Sequence, residues 1–479
     1  MTFNSITFVI FFAVVYSFYL FWDRRWQNRL LLLANIIFYS FWDWRFLSLL
    51  IFSKVMSYWC GLQIGRSPDD RKRKAMLWLC VLANLLLLIF FKYFNFFSES
   101  AAALFSKCGL SLSVPHLNMI LPLGISFYTF QSMAYPIDVY RKKIAPVTNF
   151  FEFALFMTFF PLLVAGPIER APHLIPQIRC RRVITLEGVE EGCFLLLWGY
   201  FLKVFAADNL AKIVNPLFDS SAPYNGIQVL LATYAFCFQI YCDFSGYSHI
   251  ARGLGKLMGF DLMINFQWPF FASNLRDFWR RWHISLMSWL KDYVYIPLGG
   301  NRVPTWRWAF NLFLVFLLSG LWHGARWNFV LFGIYHGTLM VLYALRQRRR
   351  EQSVSSIERE KNTMIFWLKV LATFQIVACG FLIFRAQTLA QIAGLFQGLI
   401  WNFHFTNDFP LFQFLKMATS FFGLTWFIIF LEYWQFKNKE LLAIFRWNWI
   451  PQGVVYYLLV FFLLTFGAGG GNEFIYFQF

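Results

Sequence analysis

Apolar runs broken by short basic or polar interruptions repeat along the whole chain. A helix needs about 20 mostly apolar residues to cross a bilayer. Candidates lie near 6–22, 30–42, 47–65, 77–95, 119–139, 149–166, 189–208, 227–242, 305–323, 327–345, 364–384, 411–432 and 453–467. The pattern predicts roughly ten to thirteen segments. Several are too short to cross unaided and read as tilted or re-entrant; irregular backbone at membrane depth is tolerated only where protein or a water-filled cavity covers it. Residues 263–303 break the pattern in another way, with Asp261 just before them and Arg276, Asp277, Arg280, Arg281, Lys291 and Asp292 interleaved with aromatics. That stretch is too polar for lipid and too aromatic for a solvated loop, so an amphipathic or re-entrant layer is expected. Residues 387–401 read similarly, at the outer face. The expected fold class is an all-α polytopic membrane protein, one integral-membrane unit over residues 1–479.

Lys and Arg collect in cytoplasmic loops and set orientation. Arg24, Arg25 and Arg29 form one cluster, and Arg66, Arg71, Lys72, Arg73 and Lys74 a second. Arg141, Lys142 and Lys143 form a third, and the run from Arg346 to Lys361 a fourth. Placing all four in the cytoplasm requires an even number of crossings between them, which 30–65 and 77–139 supply. Both termini are then expected outside. Arg179, Arg181 and Arg182 fit this scheme only if 149–166 dips into the membrane and returns. Residues 6–22 follow no Lys or Arg and carry no small-residue cleavage site, so they read as an uncleaved first span and not as a signal peptide.

Composition removes several classes. The chain is 59% hydrophobic and 14% charged, with mean hydropathy +0.53, where a soluble domain carries about 25% charged residues. Its 21 Trp and 21 Tyr suit interfacial belts. A net charge of +18 would suggest nucleic acid in a soluble protein. Here the charge lies between apolar segments, beside an anionic inner leaflet, and base-stacking platforms need a polar, basic groove; no nucleic-acid partner is expected. The eight cysteines include no CxxC pair, and most sit in apolar runs, so neither a disulfide framework nor a zinc site is expected.

An ionisable side chain at membrane depth is costly and by default marks a functional site. Of the seven histidines, His323 sits between Gly320 and Gly324 at the end of an apolar run, and His283 follows Arg280, Arg281 and Trp282. His336 lies in the next apolar run, while His116 and His173 read as loop residues and His404 as interfacial. Each of the first three also fits a plain hydrogen-bonded core histidine. No His-x-x-x-His, Gly-x-Ser-x-Gly, P-loop or dinucleotide fingerprint is present, so no metal is expected.

Taken in order, five blocks resemble the membrane-bound O-acyltransferases, specifically their bacterial alginate O-acetyltransferase-like branch. They are Leu121 to Gln131 with Asp138 to Arg141; Ala165 to Ile168 and Asp243 to Ser248; Asp277 to Leu286 running on to Arg302; Leu318 to Gly324; and the tail Glu473 to Phe479. The Trp279-Arg-Arg-Trp-His283 and Leu321-Trp-His-Gly324 motifs together are the specific ones, and the likeness covers nearly the full chain. It implies a ring of transmembrane helices with re-entrant and amphipathic helices around a thinned catalytic centre, with a catalytic core about 119–345. There a cytoplasmic funnel carrying an acyl thioester meets an outward-facing funnel. The family's two functional histidines match His283 and His323. The chain departs from the branch after Ser248, where relatives place an acidic residue and no arginine; His249 and Arg252 stand here.

A sugar hydroxyl is a poor nucleophile near neutral pH, and a general base must take its proton as the new bond forms. His323 is expected as that base, or as the residue that activates an intermediate acceptor. His283 is expected to stabilise the developing oxyanion or to orient the donor. Arg276, Arg280, Arg281 and Lys291 are candidates for the coenzyme A phosphates, since guanidinium forks match phosphate oxygens; anchoring to the inner leaflet is the competing reading. The resemblance implies acetyl coenzyme A as donor substrate with no permanently bound cofactor, and a periplasmic or extracellular acetyltransferase partner acting on a cell-envelope polysaccharide of the alginate, cellulose or peptidoglycan type. The expected location is the bacterial cytoplasmic (inner) membrane. Two other functions compete: a transporter that moves an acyl carrier or glycan without chemistry, and a scaffold that only recruits envelope enzymes.

Overall fold

The computed structural model describes residues 1–110, 114–163, 166–353, 363–407, 409–469, 474 and 475, with the side chains of 349–353 excepted. Part of the fourth basic cluster, Ala165, and all of the tail motif but Phe474 and Ile475 lie outside the described residues.

The first helices are α1 (Ile6–Phe21), α2 (Arg24–Asp43), α3 (Leu47–Arg66), α4 (Asp70–Leu88), α5 (Phe94–Lys107), α6 (Ile125–Tyr140), α7 (Phe150–Thr158), α8 (Phe160–Leu163) and α9 (Ala171–Arg179). Then come α10 (Leu186–Tyr200), α11 (Asp208–Phe218), α12 (Gly226–Leu257), α13 (Leu275–Arg281), α14 (Ile284–Leu290) and α15 (Thr305–His323). The last are α16 (Trp327–Ser353), α17 (Thr363–Arg385), α18 (Leu389–Trp401), α19 (Leu411–Asn438) and α20 (Trp449–Phe466). No strand occurs among the described residues. Eight helical stretches among them are long and apolar enough to cross a membrane. The protein is an all-α polytopic membrane protein.

The chain divides into two compact units, residues 1–196 with 250–263, and residues 197–249 with 264–479. In the first, α1 is pinned to the end of α12: the Tyr19 hydroxyl donates to the Met258 carbonyl at 2.6 Å and that of Tyr16 to the Leu257 carbonyl at 3.1 Å. The expected segment 149–166 is broken at Phe159 into α7 and α8. Buried Asn35 covers the break, donating to Thr158 Oγ1 at 3.1 Å and accepting the Phe160 N–H at 2.9 Å. A nine-residue helix rises about 14 Å, under half of a hydrocarbon core about 30 Å thick. So α7 cannot cross unaided, as the basic residues after it require.

Helix α12 runs 32 residues, well past the apolar run that predicts it, with residues 226–249 in the second unit and 250–257 in the first. Hydropathy stops that run early because the helix then carries Asp243, Ser245, Ser248, His249 and Arg252, all buried in protein. Small residues let α15 and α16 approach backbone to backbone. A Cβ at Gly320 would lie 2.2 Å from the Phe329 carbonyl oxygen, and one at Gly333 2.8 Å from that of Phe316. Residues 263–303 form short helices and turns, none long enough to cross.

Candidate active site

His283 is built by a turn. It caps α14 in the left-handed region, φ 45° and ψ 51°, a conformation that costs a non-glycine residue roughly 1–3 kcal/mol but that histidine adopts more readily than most. Asn265 holds the turn through both main chain and side chain. Its carbonyl accepts the Ile284 N–H at 2.9 Å. Its Oδ1 accepts the Ser285 N–H at 3.2 Å and the Ser285 hydroxyl at 2.9 Å, and its Nδ2 donates to Ser248 Oγ at 3.2 Å. The backbone donor at Ser285 identifies that oxygen as an acceptor. His283 Nδ1, 3.2 Å from the same Oδ1, must therefore carry the proton. The lone pair of the neutral ring then lies on Nε2. Burial pushes the imidazole down to about 3, so the ring is neutral at working pH.

His323 is the last residue of α15 and is 5% exposed. Gly324 ends the helix, and a Cβ there would lie 2.1 Å from the Phe329 ring. That close approach seats α16 directly beneath the histidine. The imidazole packs against Trp322 and Phe384 with ring centroids 5.1 Å away in each case, and against Phe332 at 6.0 Å.

The two histidines that the motifs single out come together, with ring centroids 6.4 Å apart. Trp322 bridges them, lying 5.4 Å from His283, and Phe244 closes the other face of His283 at 4.6 Å. His336 is buried in the same aromatic layer, edge-on to Trp279 at 4.9 Å and to Phe332 at 4.6 Å. An aromatic enclosure of this kind keeps water from a reactive acyl group and strengthens polar contacts inside it.

The four basic candidates separate. Arg276, Arg280 and Lys291 are exposed. Arg281 is half-buried, its Nε donating to Asp277 Oδ1 at 2.8 Å and its guanidinium lying over the Phe436 ring at 5.4 Å.

Three groups escape the motif reading. Asn265 is one. The second is a buried charge cluster of which only Asp243 stands in a motif block: Lys203 Nζ lies 2.9 Å from Asp208 Oδ1 and 2.5 Å from Asp243 Oδ1, with all three side chains at most 3% exposed. Asp243 Oδ2 also accepts the Ile475 N–H at 2.7 Å. This fastens the tail beside the site, where Phe474 packs on Phe244, centroids 5.5 Å apart, and Phe244 on His283. The third is the buried Glu432 carboxyl, which accepts the Tyr241 hydroxyl. A lone lysine or glutamate inside an apolar run is itself a signal, because a charge at that depth is costly.

Residues 36–386 match the model of the MBOAT, membrane-bound O-acyltransferase family. The chain is 40% identical over 398 residues to a probable alginate O-acetylase, AlgI, of Pseudomonas aeruginosa, covering 82% of this chain and 73% of the relative. It is 31% identical over 490 residues to a peptidoglycan O-acetyltransferase of Helicobacter pylori, covering 94% and 91%. A teichoic acid D-alanyltransferase of Bacillus subtilis is 28% identical over 289 residues, covering 57% and 70%.

Proposed function

This chain belongs to the membrane-bound O-acyltransferase family, and from that premise we propose that it moves an acetyl-type group from a cytoplasmic thioester across the membrane towards hydroxyls of a cell-envelope polysaccharide. The relatives' names support an acceptor of the alginate or peptidoglycan type. The donor in this reading is acetyl coenzyme A, the membrane is the bacterial inner membrane, and an extracytoplasmic partner completes delivery to the polymer.

The observation that carries the proposal is the pair His283 and His323, both at most 5% exposed and 6.4 Å apart between ring centroids. A neutral imidazole is a suitable base for a hydroxyl that attacks a thioester. His323 takes the acceptor's proton as the oxygen bonds to the acyl carbon. The carbon–sulfur bond then breaks, and the departing thiolate recovers that proton from the imidazolium. His283, with Nδ1–H committed to Asn265, offers the lone pair on Nε2. That supports an orienting role, in which His283 accepts a hydrogen bond from the reacting hydroxyl, over donation to an oxyanion. Exposed Arg276, Arg280 and Lys291 are free to move onto donor phosphates, whereas Arg281 is shared with Asp277.

Reconstitution tests the reading. Liposomes hold labelled acetyl coenzyme A inside, with polymer and extracytoplasmic partner outside. Label on the polymer that disappears in His323→Ala supports it. Movement of polymer or carrier without thioester consumption makes the protein a transporter instead.

A further inference from the structure

Away from the histidines, a cavity of about 950 Å³ opens among α11, α12, α19 and α20. That is at the upper end of the roughly 300–1,000 Å³ typical of ligand sites. Its lining is graded. Lys212, Gln228, Gln413 and Lys416 form a polar rim near helix ends, while Phe205 and Phe462 line the apolar depth. From Lys416 the helix α19 descends about 10 Å to Gly423, where an added Cβ would meet nothing within 4 Å. The cavity is thus open along its depth and closed by aromatic rings.

The rim carries two positive charges. Lys212 donates to the neutral Asn209 Oδ1 at 2.8 Å, and among the described residues neither lysine pairs with a carboxylate. With the basic loops in the cytoplasm, this rim faces the extracytoplasmic side, where Lys is depleted. Two lysines converging there on one apolar cavity match a ligand with an anionic head and a hydrocarbon tail.

We propose that this cavity binds an anionic phospholipid of the outer-facing leaflet, its phosphate between Lys212 and Lys416 and an acyl chain running past Gly423 towards Phe462. The site is independent of the acyl-transfer chemistry.

The test reconstitutes the full chain in nanodiscs containing equal phosphatidylglycerol and phosphatidylcholine, extracts it gently, and counts retained lipid by native mass spectrometry. Phosphatidylglycerol should be retained roughly tenfold or more over phosphatidylcholine, the scale of two lysines beside an anionic headgroup. Lys212→Gln with Lys416→Gln should abolish that preference. Gly423→Leu should remove the bound lipid by filling the depth, with unchanged helical circular dichroism and gel-filtration profile. Equal retention of the two lipids by the parent protein overturns the proposal. So does an undiminished phosphatidylglycerol signal in both variants.

Discussion

Asn265 Oδ1 lies 3.2 Å from His283 Nδ1 and also accepts the Ser285 backbone N–H, so one carboxamide decides which nitrogen of the histidine bears the proton. Replacing Asn265 with Ala removes that control while leaving both histidines in place. Acyl transfer should fall roughly 10- to 100-fold, the scale for losing a side chain that orients a working histidine. Asn265→Asp should behave differently. It keeps the acceptor but sets a carboxylate beside the ring, which raises the imidazole pKa from its depressed value. The neutral form is then lost at a higher pH than in the parent, so the acid limb of the pH–rate profile should move upward. An unmoved acid limb together with parent-level turnover in Asn265→Ala would show that the contact is only structural.

His323→Ala should lower acyl transfer by roughly 10²- to 10⁴-fold, the usual worth of a positioned acid–base group. The variant should insert normally and keep its thermal midpoint within a few degrees, because the ring rests on apolar neighbours at one helix end. Thioester consumption in proteoliposomes reads the first quantity, and detergent-solubilised melting the second. Near-normal consumption removes the base assignment.

Arg280 and Arg281 should separate. Arg280→Gln takes away an exposed guanidinium and should raise the apparent KM for the donor with little change in melting temperature. Arg281→Gln breaks the contact to Asp277 and leaves the Phe436 face uncovered, so its principal effect should be on stability. Equal donor dependence in Arg280→Gln and the parent assigns Arg280 to the lipid surface.

Two helical glycines should respond oppositely to alanine. Gly320→Ala drives a methyl into the Phe329 carbonyl at 2.2 Å and should destabilise by roughly 1–3 kcal/mol, as overpacking does. Gly423→Ala meets open space and should be neutral or stabilising by up to about 1 kcal/mol, the gain in helix propensity. Paired thermal melts check both, and equal shifts would contradict the described α15–α16 packing.

Orientation is open to direct labelling. All eight cysteines are free thiols and can be removed to give a clean background. A single cysteine at Lys72 should resist a membrane-impermeant maleimide in intact cells, whereas one at Phe403 should react. Labelling at Lys72 from outside reverses the topology expected from the basic loops.

The spans were legible where apolar length alone sets them: α3 and α17 begin and end within one residue of the runs 47–65 and 364–384. Legibility failed where polar residues continue a helix inside protein. On α12, Asp243 and Ser248 lower the hydropathy yet are satisfied by Lys203 and Asn265, so the helix does not stop for them. The break at Phe159 is invisible for the opposite reason, since its partner Asn35 comes from α2, more than a hundred residues earlier. At the site, His283 and His323 stand out because each sits in a specific local motif. Asn265 does not, because it reaches His283 only when the segment between them, α13 included, has folded back. Lys203 was within reach, as the one basic residue in the run 189–208, and only its pairing with Asp208 and Asp243 required the fold.

Lys203 with Asp208 and Asp243 also constrains how such a chain can diverge. Removing the lysine leaves two buried carboxylates without their shared cation and costs about 3–5 kcal/mol, whereas removing Asp208 leaves a one-to-one ion pair with Asp243. No neutral single substitution replaces Lys203 while both aspartates are in place. Lineages that retain Lys203 should retain at least one of the two aspartates, a lineage that has lost Lys203 should have replaced both, and one that has lost Asp243 should have a tail no longer tied through Ile475. The two aspartates are therefore inherited under the control of the lysine, and loss of Lys203 should coincide with loss of Asp243 although the two stand on different helical segments far apart in the chain.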